Sequence, residues 1–127
     1  MVEHEAIRSY QALSEEYLAA AEAVAAAGHL APAYHNALHA LELAVKAALA
    51  SRLPRVPRTH NVGGLLGQEF LDELGADVCA RVNRLVHAYD APRYPDWEAP
   101  PDARDDLAFI ATFVRGRLPR LLAEGRA

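Results

Sequence analysis

Apolar residues return every three or four positions through most of the chain, the period of a helix with one buried face. In the first such stretch Tyr10, Leu13, Tyr17, Ala20 and Val24 form the apolar stripe, and Glu15, Glu16 and Glu22 lie off it. This predicts a helix from about Val2 to Ala27, closed at Gly28 by a left-handed residue. A second helix is predicted from Pro32 to Arg52, with Tyr34, Leu38, Leu41, Val45 and Leu49 on one face. A second stripe on that helix, offset by about one residue, holds His35, His39, Glu42 and Lys46. Pro32 fits the first turn, where its missing N–H costs nothing, and the short link makes the two helices antiparallel neighbours.

Pro54 and Pro57 stop the second helix, so Leu53 to Arg58 reads as an extended connector. Thr59 is the expected N-cap of a short helix from His60 to about Leu66, kept short by Gly63, Gly64 and Gly67. A further helix is expected from Glu69 to Tyr89 on the stripe Phe70, Leu71, Leu74, Val78, Val82, Leu85 and Tyr89, with a kink or break at Gly75. The proline-rich stretch Asp90 to Pro101, with Trp97, reads as an ordered loop packed by aromatics. The last helix, Asp102 to about Glu124, has acids in its first turn and Arg115, Arg117 and Arg120 near its end, matching the helix dipole. No strand-like alternation of useful length appears. The expected fold is an all-α, antiparallel, four- to five-helix up-down bundle forming one domain over residues 1–127. Cys79 and Val86 are apolar positions outside the main stripe of their helix, a surplus that suggests a partner surface, most simply in a symmetric dimer.

Composition narrows the class. At 52% apolar residues, a chain of 127 can bury enough surface to fold without crosslinks. One cysteine allows no internal disulfide and suits a reducing cytoplasm. No apolar run approaches the roughly 20 residues that span a bilayer, and the start Met1-Val2-Glu3-His4-Glu5 lacks a signal peptide's basic region, so a cytoplasmic protein is expected. A net charge of −4 excludes bulk duplex binding by global electrostatics while leaving room for a local basic patch.

Three blocks carry a likeness to a known family. They are Ala40-Leu41-Glu42-Leu43-Ala44-Val45-Lys46-Ala47, then Thr59-His60-Asn61-Val62 after the proline-containing connector, then Tyr89 with Arg93-Tyr94-Pro95-Asp96. In this order and at these separations they resemble the HEPN domain, a helical module named for its presence in higher eukaryotes and prokaryotes and for proposed nucleotide binding. The resemblance implies a helical bundle, usually a homodimer, often encoded beside a minimal nucleotidyltransferase. Some members of that family are metal-independent ribonucleases that act as toxins or defence effectors. Those place an arginine, four to six residues, then a histidine at the end of this helix, often with asparagine after the arginine and tyrosine two after the histidine. Asn83, His87 and Tyr89 match, but Val82 stands directly before Asn83 where arginine is expected. Arg81, with five residues between it and His87, meets the looser spacing, and Arg84 lies one turn from His87 on the same face.

Metal-free RNA cleavage needs proton transfer at the 2′-hydroxyl and leaving oxygen, which suits histidine, and stabilisation of phosphate charge, which suits arginine. The candidate catalytic residues are therefore His87, Arg81, Arg84, Asn83 and Tyr89, with a second copy of His87 supplied across a dimer axis. The bland alternative makes His87 and Tyr89 half-buried helix-end residues bonded to the following loop. The resemblance also raises candidate ligand-binding residues: Glu42 and Lys46 projecting with His60 into a polar groove, and Arg93 as a separate phosphate contact. Against this, a charged helical stripe is ordinarily a solvated face, and an exposed Glu42–Lys46 pair contributes only about 0.3–0.5 kcal/mol. His35, His39 and Glu42 have a spacing that could hold a transition metal, but no second motif completes the ligand set, so no metal and no cofactor are expected. Three functional readings follow: a nucleotide- or RNA-phosphate-binding dimer working with a nucleotidyltransferase, a ribonuclease toxin, and a purely structural interaction module.

Overall fold

The computed structural model describes residues 2–124. It is all-α, with no strand among the described residues. Helices α1 (Val2–Ala26) and α2 (Leu30–Ala50) form an antiparallel pair. After the connector come α3 (Gly63–Leu74) and α4 (Ala76–His87), a single 3₁₀ turn (Ala91–Arg93) and α5 (Ala103–Thr112). A wider π-helical turn (Phe113–Arg117) carries α5 without a break into α6 (Leu118–Glu124).

Gly28 closes α1 as the spacing predicts. At φ +89° it turns the chain so that its own N–H reaches the Ala25 carbonyl (2.9 Å) and that of His29 reaches Val24 (3.1 Å). These two bonds satisfy carbonyls that the helix end would otherwise leave bare.

Helix α2 runs through the middle of the bundle, with α1, α3, α4, α5 and α6 all packed against it. Its alanines explain why it can be covered on nearly every side. Ala33, Ala37, Ala40, Ala44, Ala47 and Ala48 are fully buried, and their small side chains let neighbouring backbones approach closely while Leu38, Leu41, Val45 and Leu49 fill the gaps. The second polar stripe is therefore not a solvated face. Glu42 is 1% exposed, because residues from distant parts of the chain cover it.

Two boundaries differ from the sequence reading. Thr59 does not cap a helix at His60; its hydroxyl accepts the N–H of Asn61 (3.2 Å) within the connector, and α3 begins at Gly63. The expected short helix and the start of the next one are instead merged into α3, which bends at Phe70 (φ −129°, ψ 20°). Gly75, at φ +85°, then separates α3 from α4, a break rather than a kink.

Cys79 (7% exposed) and Val86 (0%) belong to the chain's own core, since α3 folds back over α4 and covers them. The apolar surplus that suggested a partner surface is thus spent internally. Burial also pushes the Cys79 thiol pKa up, away from reactivity. The loop after α4 is packed by aromatics as expected: the Trp97 ring lies 5.6 Å from that of Tyr34. Among the described residues no helix is long and apolar enough to cross a membrane.

Candidate functional site

The buried Glu42 carboxylate gathers residues from three elements. One oxygen, Oε2, pairs with Lys46 Nζ at 3.2 Å, one turn along α2. The other accepts a hydrogen bond from His60 Nδ1 at 2.8 Å, which pins the connector to the helix. The His60 ring stacks on Tyr89, with centroids 4.0 Å apart and planes 22° from parallel. The Tyr89 carbonyl in turn accepts from His35 Nδ1 at 2.8 Å. His39, the remaining member of the stripe, meets Tyr17 of α1 edge-on at 4.3 Å, and burial lowers its pKa. The stripe is a polar seam between α2, α1, the connector and the end of α4.

Glu42, Lys46 and His60, proposed from sequence as ligand contacts, are therefore brought together. Lys46 is 13% exposed and the His60 side chain 50%, so the cluster has one open edge, at the imidazole. Because Nδ1 is held by the carboxylate, Nε2 on the far side of the ring is the atom available to a ligand. Arg93 does not join them; it is exposed and pairs with Asp90 of its own loop at 2.9 Å.

The five residues proposed for catalysis go to different places. The Arg81 guanidinium binds the buried Asp106 carboxylate at 3.0 Å and lies 4.3 Å over the Phe109 ring. Tyr34 donates its hydroxyl to the other Asp106 oxygen at 2.7 Å, and burial, followed by this carboxylate, pushes its pKa well above the usual tyrosine range. Asn83 faces the start of α3, where its Oδ1 is buried without a partner, and Tyr89 is occupied with His60. Of the five, only Arg84 and His87 are exposed. His87 Nδ1 donates to the Asn83 carbonyl at 2.8 Å, leaving Nε2 as the free acceptor of the neutral ring. Arg84, with Arg81, Asp102, Asp105 and Phe109, lines an open groove of about 640 Å³ between α4 and α5.

Tyr34 and Asp106 escaped the sequence reading, which took the first as a core residue and the second as a helix-start acid. Nothing local marks them, since their hydrogen bond joins positions 72 residues apart. The metal spacing at His35 and His39 is not developed further: the two rings bind different neighbours, and among the described residues no group of three or more His, Cys, Asp or Glu side chains is placed to hold a metal.

A comparison with curated proteins and another with solved structures each gave no match. A family model described as the HEPN domain matches residues 10–115 of the 127. That span runs from Tyr10 on α1 through the Glu42 seam and α4 into the π-helical turn, and with the all-α fold it places the chain in the HEPN domain family.

Proposed function

We propose that this chain is a phosphate-binding HEPN module, taking a nucleotide or RNA, that works as a homodimer beside a minimal nucleotidyltransferase in a toxin–antitoxin or defence type of system. The family is generally nucleotide- or RNA-related, and the Glu42–Lys46–His60 cluster supplies a site for it. A buried carboxylate flanked by a lysine and a histidine holds the ammonium and the imidazole in fixed geometry, so a phosphate or its hydroxyl approaching the open edge of His60 meets preorganised polar groups.

The observation that favours binding over cleavage is the position of Arg81. It is the arginine at the nuclease spacing, yet Asp106 and Phe109 hold its guanidinium in a structural joint. Isothermal titration with a nucleotide panel tests the binding: an affinity that Glu42→Gln and His60→Ala both weaken is expected, and no heat at millimolar nucleotide rejects it. Light scattering checks the dimer, and recovery of a nucleotidyltransferase on purification from the native host checks the partner.

One observation favours the ribonuclease reading. The tautomer that His87 adopts exposes Nε2 as a base, with Arg84 on the same face to meet a phosphate. Toxicity on induction that His87→Ala abolishes would establish it. Harmless expression with intact cellular RNA is the outcome expected here.

A further inference from the structure

The structure holds a second cationic feature, where the connector meets the start of α1. A groove of about 610 Å³ runs between the start of α1 and the connector, lined by Ala6, Tyr10, Arg55, Val56, Pro57 and Arg58. We propose that this groove binds the backbone of single-stranded RNA, with Arg55 and Arg58 on successive phosphates and Tyr10 under a base. The inference rests on the RNA branch of the function proposed above.

The two arginines are uncommitted. Among the described residues neither Arg55 nor Arg58 has a carboxylate within 4.0 Å and both are exposed, as are Arg84 and Arg104; these two are set apart by lining one groove together with a tyrosine ring. They are also held in place. Pro54 and Pro57 restrict the connector, and His60 pins its far end to Glu42, so little chain freedom is lost on binding. Three residues apart on one short connector and both on the groove wall, the two guanidiniums can reach two neighbouring phosphates of one strand.

Tyr10 adds the base contact. Its ring is half-buried against the core and thus fixed, with part of its surface on the groove. The register of the helix pair sets its height. Tyr17 meets His39, and in an antiparallel pair a step of seven residues back on α1 and seven forward on α2 returns to the same two faces. Tyr10 is thereby level with Lys46, which puts the groove at the same height on the helix pair as the Glu42–Lys46–His60 cluster.

Single-stranded RNA is the occupant because a duplex gives Tyr10 no unstacked base, and because a chain of net charge −4 lacks the field to hold duplex phosphates at long range. Two guanidiniums and one aromatic platform are a short-strand grip.

Fluorescence anisotropy of a labelled oligouridylate, titrated with the full chain at several salt concentrations, tests this. Replacing both arginines (Arg55→Ala with Arg58→Ala) is expected to weaken binding about tenfold and to reduce the slope of log K against log salt by about 1.4, two phosphates at ~0.7 each. Tyr10→Leu is expected to weaken binding about fivefold or more with the salt slope unchanged. If Tyr10→Leu melts early by circular dichroism, the arginine pair, which is exposed and outside the core, decides alone. Wild-type binding that the arginine double variant leaves intact in affinity and slope overturns the groove while RNA binding stands. No RNA binding even at low salt also overturns it, and a nucleotide titration that still succeeds then leaves the His60 site standing.

Discussion

Glu42 shows how much one side chain's meaning depends on what covers it. From sequence it is the acid of an i,i+4 pair, worth a few tenths of a kcal/mol on a wet surface. In the fold it is buried between Lys46 and His60, and removing its charge leaves Lys46 facing the interior without a counterion. Glu42→Gln is expected to destabilise the chain by about 2 kcal/mol in urea unfolding, below the ~3–5 kcal/mol of a broken fully buried pair because His60 is half exposed. His39 gives a pH signature. Burial lowers its pKa, so the unfolded chain takes up a proton at a higher pH than the folded one. Its contribution is fully present above the ordinary histidine value of ~6.5 and is lost as pH falls from there to the lowered folded value. The difference in thermal midpoint between wild type and His39→Gln should therefore shrink or reverse on going from pH 7.5 to pH 5.5; a difference that stays constant would rule this out.

At the level of elements, the helices of the bundle were legible because the apolar period and the punctuating glycines and prolines are local signals. The Gly28 stop needed no knowledge of the fold, and Gly75 was legible as an interruption, though whether it kinks or breaks the helix was not. The start of α3 was not legible, because Thr59 is a good cap by residue type and only the pull of His60 toward Glu42 draws that segment into the connector. The glycine at the true start of α3 has a reason that lies on another helix. A Cβ on Gly63 would sit 2.5 Å from Asn83 Oδ1 and 2.6 Å from the Asn83 Cα, and the backbone cannot yield as a side chain can. Gly63→Ala should force α3 and α4 apart and cost about 1–3 kcal/mol, read by urea unfolding. Gly64→Ala, whose Cβ would meet open space, is the matched control and should be near neutral or slightly stabilising.

On the scale of the whole molecule, the Tyr34–Asp106–Arg81 joint ties α2, α4 and α5 into one body. Asp106→Asn keeps the shape but removes the charge that Arg81 and the Tyr34 hydroxyl both bind. A loss of about 2–4 kcal/mol is expected, as one unfolding transition monitored equally by far- and near-UV circular dichroism, since the joint links the core rather than one helix. Within this body the residues proposed for function from sequence are partitioned. Glu42, Lys46 and His60 converge, whereas Arg81, Asn83 and Tyr89 each take up a packing or bonding role apart from His87.

The all-α fold and the family were determined by the sequence alone, because period, helix stops and motif spacing act over a few residues; Glu42, Lys46 and His60 were named there too, but in one set with Arg93, which the fold keeps apart. Which face of α2 is wet, where α3 begins, and which arginine is free were decided only by the tertiary structure. Each depends on a neighbour tens of residues away: His60 and Tyr89 over Glu42, Asn83 against Gly63, Asp106 on Arg81. A charge or a glycine carries no local mark of what will pack against it, and packing is what settles its role.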